Sequence, residues 1–342
     1  MNFVRADSLC LDPLRAVLGG ATDLIPATRE AMDPYFRYSA AELSTARAKV
    51  DMDRVRGSLF VIPQNDGEAL RIQQVLAAVD APHVLKADAN SRAGVGLADF
   101  PKELPAGIRE VVLVENPGPE LETHIRSLGL EVRIIDHHVW GDLDRYNALS
   151  SLEQLMDLIG WTPTRVDRAI ALNDRSFVGG MRAAGYSDEE MRLVRIFDLQ
   201  AQGNYVGRLR GEIEAVQKLL PRLERVANHV VFDGTAEHLP NPGLLFQEIA
   251  LNPETANMGL VDFGSGHIKI SSKIDVVKKF RDFPWSDFGY PPGAIRTTQG
   301  GDEQGSMYIY FGVLKKPEGG DRKIPSAVRD RVLAMIRGEA AP

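Results

Sequence analysis

The sequence predicts an α/β protein whose main domain contains a parallel β-sheet with helical crossovers. From residue 58 onward, short runs of apolar and β-branched residues alternate with longer segments whose apolar residues recur at helical spacing. This alternation is typical of parallel sheets. From residue 229 the pattern changes to closely spaced strand-like runs with two helical segments, which predicts a second, smaller α/β domain.

The composition limits the classes of function. At 342 residues with 44% hydrophobic residues, the chain is long enough for two hydrophobic cores. A net charge of −7 argues against an extended nucleic-acid surface or an anionic membrane surface. The single cysteine, Cys10, excludes an intrachain disulfide, so a reducing cytoplasm is the expected location. No segment has the ~20 apolar residues that a membrane-spanning helix needs.

The elements of the first domain are predicted in order along the chain. Apolar spacing indicates a helical N-terminal extension over residues 1–57, and the domain itself is expected over residues 58–204. Its strands are predicted at SLFVIP, HVLKA, REVVLVE and EVRIID. Its helices are predicted at GEALRIQQVLAAV, PELETHIRSLG, SSLEQLMDLIG, TRVDRAIALND and SDEEMRLVRIFDLQAQ.

A helical linker is predicted over residues 205–228, interrupted by Pro221, and the C-terminal domain over residues 229–342. The strands of this domain are expected at HVVFDG, MGLVDFG, HIKISSK and SMYIYFGVL. Its helices are expected at DVVKKFRDF and SAVRDRVLAMIRG.

Acidic or imidazole residues stand at or shortly after the ends of three predicted strands of the first domain. They are Asp66, Glu68, Glu115, Asp136, His137 and His138. Because ligands of parallel sheets bind outside the carboxyl ends of the strands, we expect these side chains to lie close together. Carboxylate oxygens with an imidazole nitrogen suit Mn²⁺ or Mg²⁺, and such ions can hold a phosphoryl group and generate hydroxide.

The triplet Asp136-His137-His138 after a predicted strand resembles the motif that gives the DHH phosphoesterases their name. Proteins of this family carry four short motifs in a parallel-sheet domain, followed by a smaller substrate-binding domain with a glycine-rich segment near its end. The resemblance extends from residue 58 to about residue 300. It implies a DHH-type domain joined by the helical linker to a smaller α/β C-terminal domain.

The other three motifs are also similar to segments of this chain. The first motif is a histidine followed four residues later by Asp-x-Asp, and NDGEAL supplies Asp66 and Glu68 at the acidic positions. The second is an aspartate that closes a strand, which Glu115 replaces in VVLVENPG. The fourth is an aspartate in a helix, which Asp174 matches in AIALNDRSF.

The resemblance implies a role for each of these residues. The implied metal ligands are Asp66, Glu68, Glu115, His137 and Asp174. His138 is expected to contact the substrate phosphate, and Asp136 to act near or behind the metal ligands, where a carboxylate commonly orients a histidine.

The second domain is similar to the family in outline. Lys273 in HIKISSKIDV takes the place of an arginine near the substrate. DFGYPPGAIRTTQGG resembles the glycine-rich segment and supplies Gly289, Gly293 and Arg296. The resemblance therefore implies that Lys273 and Arg296 neutralise phosphate oxygens during the reaction.

The chain also departs from the family pattern. Ile62 stands where the first motif has its histidine, and the histidine of the glycine-rich segment is absent. Glutamates replace aspartates at residues 68 and 115, which moves each carboxylate by ~1.5 Å for an unchanged backbone. These departures predict that one metal position is weakened or lost.

The resemblance implies a hydrolase dependent on Mn²⁺ or Mg²⁺ that acts on a phosphate ester or phosphodiester bond. The expected substrate is a nucleotide or short oligonucleotide in the cleft between the domains, and a homodimer is compatible with the sequence. The missing histidines support an alternative, a DHH-like protein without turnover that binds a nucleotide or a protein partner. A third hypothesis is an unrelated α/β protein in which the triplet is fortuitous.

Single residues also have structural interpretations. NDGEAL is compatible with a turn and a helix cap. Glu115 is compatible with a simple strand-end carboxylate, and Asp174 with an ion pair to Arg175 or Arg168.

Overall fold

The structure is a computed structural model of the 342-residue chain. It describes residues 36–85, 97, 100–115, 118–137, 139–140, 143–144, 147–202, 218–219, 222–234, 247, 250–251, 258–264, 267–272, 274–290, 295–299, 310–315 and 324–338. The described residues divide into two compact units. The first contains those up to 202 except 176–180, and the second contains 176–180 and those from 218 onward.

A parallel four-stranded sheet forms the centre of the first unit. Its strands are β1 (Ser58–Ile62), β2 (His83–Leu85), β3 (Glu110–Val114) and β4 (Glu131–Ile135), in the order β2-β1-β3-β4. Each neighbouring pair is parallel. Every residue of β1 and β3 is buried, as expected for central strands that helices cover on both faces. The predicted α/β class is therefore confirmed.

The order of the strands changes direction between β1 and β3. After β1 the chain crosses to β2 on one side of the sheet, whereas β3 and β4 follow on the other side. In open parallel sheets such a point leaves a crevice at the carboxyl ends of the strands, and ligands bind there. The residues that follow β1, β3 and β4 consequently meet at one edge of the sheet.

Helices pack around this sheet at the predicted places, with somewhat different bounds. They are α1 (Ala40–Arg47), α2 (Met52–Gly57), α3 (Gly67–Ala78), α4 (Pro119–Ser127), α5 (Ser151–Ile159), α6 (Arg165–Ala183) and α7 (Asp188–Ala201). Two short strands, β5 (Val139–Trp140) and β6 (Leu143–Asp144), form an antiparallel pair. The helix predicted at TRVDRAIALND extends further than expected, as α6, and Phe177 interrupts it with a φ of 54°.

Serine-led capping boxes begin three of these helices. Ser39, Ser150 and Ser187 each accept a hydrogen bond from the backbone N–H three residues later, and a glutamate at that position bonds back. This reciprocal pairing satisfies backbone donors that the first helical turn leaves open. The start of α5 is therefore set by its local sequence.

The second unit contains a mixed six-stranded sheet of order β11-β12-β10-β9-β8-β7. Its strands are β7 (Glu224–Val226), β8 (His229–Phe232), β9 (Gly259–Asp262), β10 (His267–Ser271), β11 (Ile295–Gln299) and β12 (Tyr310–Lys315). Two helices, α8 (Ile274–Asp282) and α9 (Ser326–Arg337), and a 3₁₀ turn at Trp285–Phe288 accompany the sheet. Their apolar side chains form one core with those of the sheet.

Two segments of the second unit differ from their predicted form. The helical linker expected to residue 228 is a strand at Glu224–Val226, because these residues pair with β8 through a tight turn in which Ala227 has a φ of 49°. The glycine-rich segment includes a strand at Ile295–Gln299, paired with β12. In both places cross-strand pairing outweighs the local preference that the sequence shows.

A buried ion pair ties the N-terminal extension to the first unit. Nε of Arg71 lies 2.6 Å from Oδ1 of Asp167, and their side chains are 1% and 0% exposed. The guanidinium also stacks on the ring of Tyr38 and donates to the carbonyl of Phe36, while the Tyr38 hydroxyl donates to Asp167. Burial alone raises the pKa of Asp167, but the Arg71 charge and the N–H of Thr164 hold it below its usual value.

The substitution Asp167→Asn tests this ion pair. It leaves the Arg71 charge buried without its counter-charge, so we expect the free energy of unfolding to fall by about 3 to 5 kcal/mol in urea titrations. The exposed pair of Arg165 and Glu190, 2.7 Å apart, provides a matched control. Glu190→Gln should change the same free energy by less than about 1 kcal/mol. Equal effects of the two substitutions would contradict the assignment.

No helix in the described part of the chain is long and apolar enough to cross a membrane.

Candidate metal centre

Four side chains meet at the edge where β1, β3 and β4 end. One ligand atom from each of Glu68, Glu115, His137 and Asp174 lies within 4.8 Å of the other three. Glu68 is in the first turn of α3, Glu115 follows β3, His137 follows β4, and Asp174 is on α6. The structure therefore brings four of the five predicted metal ligands to one point.

Glu68 is 2% exposed and is held by the start of another helix. Its Oε1 accepts a hydrogen bond of 2.8 Å from the backbone N–H of Leu152, in the first turn of α5. The N-terminal end of a helix carries partial positive charge, which favours a carboxylate. Oε2 of Glu68 is buried and has no hydrogen-bond partner, so this oxygen remains available to a cation.

Glu115 has an unusual backbone conformation. Its φ is 49°, in the left-handed region that non-glycine residues seldom adopt. Its backbone N–H donates to the carbonyl of Ile135 at 2.9 Å, and its Oε1 accepts from the hydroxyl of Ser151 at the same distance. Such strained residues persist when the surrounding structure holds them, and they cluster at functional sites.

The imidazole of His137 faces two of the carboxylates. Its Nε2 lies 2.9 Å from Oδ2 of Asp174 and 3.3 Å from Oε1 of Glu115. The alternative interpretation of Asp174 as a partner of Arg175 does not hold, because Arg175 pairs with Glu153 at 2.9 Å. The Asp174 side chain is 21% exposed and the His137 side chain 7%, so solvent reaches the cluster beside Asp174.

The proximity of the carboxylates changes the pKa of His137. Burial by itself lowers this pKa, but the charges and acceptor oxygens of Asp174 and Glu115 outweigh burial and raise it to about 12. The proton on Nε2 thus occupies a position where a cation is favoured. The same electrostatic preference applies to a divalent metal ion.

The pKa values of two carboxyl groups reflect the repulsion within the cluster. Burial raises the pKa of Glu68, and the charges of Asp174 and Glu115 raise it further. Burial and the same two neighbours also raise the pKa of Asp66. Carboxylates packed this closely are stable as anions only when a positive charge compensates them.

The residues fit a divalent ion by two independent observations. Oδ2 of Asp174, like Oε2 of Glu68, is buried and has no hydrogen-bond partner with suitable geometry. Three carboxylate oxygens with one imidazole nitrogen form a donor set that suits Mn²⁺ or Mg²⁺ better than softer metals. The acidic group could therefore hold one such ion.

Asp66 does not belong to the group of four. Its Oδ1 accepts from the backbone N–H of Ala69 at 2.9 Å and caps α3. The interpretation of NDGEAL as a helix cap is therefore correct for Oδ1 of Asp66. The charge of Asp66 still interacts with those of Glu115 and Asp174, so it lies near the group.

The remaining predicted site residues are distributed as follows. Asp136 is buried, and its backbone carbonyl accepts from the side chain of Gln154 at 3.0 Å. Gly289 ends the 3₁₀ turn with a φ of 80°, and Arg296 lies on β11 opposite Val313. His138, Lys273 and Gly293 lie outside the described residues.

The start of α5 contributes two groups that sequence analysis missed. They are the hydroxyl of Ser151 and the backbone N–H of Leu152, which bind Glu115 and Glu68. The Ser-x-x-Glu capping box at Ser150 marks a helix start in the sequence. The orientation of this helix start towards the acidic cluster depends on packing.

Comparisons with known proteins found similar structures but no similar sequences. No family model and no curated protein matches the chain. One similar structure is a DHH domain described as a member of a family of ribosomal proteins. It has 12% identity and a TM-score of 0.42, over 97% of this chain and 98% of the other.

Two further similar structures are of RecJ. RecJ from Thermus thermophilus in complex with Mn²⁺ has 15% identity and a TM-score of 0.40, over 90% of this chain and 56% of that chain. Exonuclease RecJ bound to manganese has 14% identity and a TM-score of 0.35, over 88% of this chain and 94% of that chain. The chain is thus similar in structure to a DHH-domain protein, as its motifs are in sequence.

Proposed function

We propose that this chain is a divergent DHH phosphoesterase that hydrolyses a phosphate ester or phosphodiester bond with the help of Mn²⁺ or Mg²⁺. One observation carries the proposal. The residues that match the motifs, Glu68, Glu115, His137 and Asp174, come from four separate segments and bring their ligand atoms within 4.8 Å of one another. A nucleotide or short oligonucleotide is the proposed substrate.

The chemistry follows from the charges of the cluster. A bound divalent ion of this kind supplies hydroxide at neutral pH, because it lowers the pKa of a coordinated water from ~16 towards ~7. Glu68, Glu115 and Asp174 would hold the ion through carboxylate oxygens, and His137 through Nε2. Leu152 and Ser151 keep two of these carboxylates oriented by hydrogen bonds that need no rearrangement during the reaction.

Substrate would approach from the side of Asp174, whose side chain is the most exposed of the four proposed ligands, at 21%. His138, Lys273 and Arg296 are the proposed contacts to the phosphate oxygens. The acidic overall charge of −7 disfavours long nucleic acid, which binds mainly through neutralised phosphates. A small phosphorylated substrate therefore agrees best with the chain.

A binding role without turnover is the second candidate. Ile62 replaces the histidine of the first motif, and one oxygen of Asp66 is used by the backbone N–H of Ala69. Both differences remove donors from a second metal position. On this hypothesis the chain holds one ion and a phosphorylated ligand but does not cleave it.

Hydrolysis of a generic phosphodiester tests the first candidate. After removal of metal with EDTA and addition of Mn²⁺, wild-type protein should turn over bis(p-nitrophenyl) phosphate, and His137→Ala and Asp174→Asn should each reduce kcat/KM by more than about 100-fold. Loss of residues that merely support metal ligands already reduces activity by about 10- to 100-fold.

His83→Ala is the control, since this histidine is on β2 and bonds the carbonyl of Ala81 instead of the cluster. It should retain wild-type activity. If Mn²⁺ binds with one ion per chain but a panel of phosphorylated metabolites and short oligonucleotides is not hydrolysed, the binding role is correct. Absence of both Mn²⁺ binding and turnover would exclude both candidates.

Metal removal should make stability depend on pH in a defined direction. The pKa values of Glu68, Asp66 and His137 are raised in the folded protein. The folded state therefore holds more protons than the unfolded state, so the melting temperature in EDTA should fall as the pH rises from about 5 to 8. Calorimetry checks this, and a rise over the same interval would contradict the assignment.

Glu68→Gln separates stability from metal binding. An amide in place of Oε2 removes a buried charge and can donate to the neighbouring carboxylates, so the variant should melt at a higher temperature than wild type in EDTA. Mn²⁺ at 100 times its Kd should stabilise wild type by ~2.7 kcal/mol but leave the variant almost unchanged. Equal stabilisation of both proteins would remove Glu68 from the ligand set.

A further inference from the structure

Behind the proposed metal centre, α7 carries a buried carboxylate that bonds the first residue of α3, directly before Glu68. Oδ1 of Asp198 accepts a hydrogen bond of 3.0 Å from the backbone N–H of Gly67. Its Oδ2 accepts from Arg195 at 2.7 Å and from Gln202 at 3.1 Å. Asp198 therefore fixes the backbone of the residue between Asp66 and Glu68.

Arg195 extends this network to a second ligand-bearing segment. The same nitrogen that bonds Asp198 also donates to Oδ1 of Asn173 at 3.2 Å. Asn173 directly precedes Asp174 on α6. Arg195 also interacts electrostatically with Asp174. A single ion pair on α7 thus contacts two separate segments that each supply one proposed metal ligand.

The close approach of α7 explains the glycine in NDGEAL. A Cβ atom at residue 67 would lie 2.9 Å from the Cα atom of Asp198 and 3.1 Å from the ring of Phe197. The first of these contacts is with backbone, which cannot rotate away. Only glycine at this position lets α7 come near enough for Asp198 to reach the N–H of residue 67.

We propose that the Arg195–Asp198 pair is a positioning element that holds Glu68 and Asp174 so that both face the same ion. The inference rests on the proposed metal-dependent function. It gives α7 a role in metal binding, although none of the proposed metal ligands is on that helix. Asp198 bonds the segment of Glu68, and Arg195 bonds the segment of Asp174. The geometry links them through one guanidinium and one carboxylate.

The test is Mn²⁺ binding by the full chain carrying Asp198→Ala, measured by titration calorimetry well below the unfolding temperature. We expect Kd to rise by about 10- to 100-fold, as for residues that orient metal ligands. The electron paramagnetic resonance spectrum of bound Mn²⁺ should change as well, because the ligand geometry changes. Asp198→Asn retains an acceptor for the N–H of Gly67, so its Kd should lie between those of wild type and Asp198→Ala.

Gly67→Ala tests the same inference without removing a charge. The added methyl group displaces α7, and we expect weaker Mn²⁺ binding although alanine favours a helix more than glycine does. Glu190→Gln, which breaks an exposed ion pair on the same helix, is the control and should leave Kd and the spectrum unchanged.

The outcomes separate this inference from the proposed function. If wild type binds Mn²⁺ and Asp198→Ala melts at a lower temperature with an unchanged Kd and spectrum, the pair only stabilises the fold and the inference is wrong. The same conclusion follows if Gly67→Ala and Glu190→Gln have equal Kd values. If wild-type protein binds no Mn²⁺, the proposed metal centre itself is wrong.

Discussion

Mutual repulsion among buried carboxylates is the constraint on which the rest of this structure depends. Glu68 and Glu115 are buried, and one ligand atom of each lies within 4.8 Å of a carboxylate oxygen of Asp174. Such a group needs a compensating positive charge, since the interior of a protein screens charges far less than water does. Protonated His137 supplies one such charge, and a divalent ion that replaced its Nε2 proton could supply two.

The scaffold reduces this repulsion with fixed dipoles. The first turn of α5 directs one backbone N–H at Glu68 and one hydroxyl at Glu115. Each of these contacts uses Oε1 of its carboxylate, while Oε2 of Glu68 and Oδ2 of Asp174 have no hydrogen-bond partner with suitable geometry. These two bonds hold the carboxylates of Glu68 and Glu115 in place, and such support would preorganise a metal centre.

The departures from the family pattern have consistent structural consequences. Glu115, where the motif has an aspartate, has a left-handed backbone, and its Oε1 lies 3.3 Å from Nε2 of His137. Asp66 uses one oxygen to cap α3, and the residue four positions before it is the buried Ile62. These features leave one group of four ligand atoms that could hold an ion.

Sequence by itself determined most of the local elements and the residue types of the acidic group. Hydrophobic alternation located all four parallel strands to within two residues, because each is a short apolar run bounded by turn-forming residues. The charged residues that follow three of these strands supply Glu68, Glu115 and His137 to the acidic group, and apolar spacing located α5 to within one residue. Only residues whose roles follow from their own type and neighbours could be found in this way.

Tertiary structure decided which of these groups meet. The strand order placed the ends of β1, β3 and β4 together, and packing of α7 against Gly67 brought Asp198 and Arg195 behind the ligands. Pairing with β8 converted Glu224–Val226 from an expected helix into a strand. Asp198 lies 131 residues from Gly67 along the chain, and no local pattern encodes a contact over that distance, because it arises only when separate elements bury their apolar faces against one another.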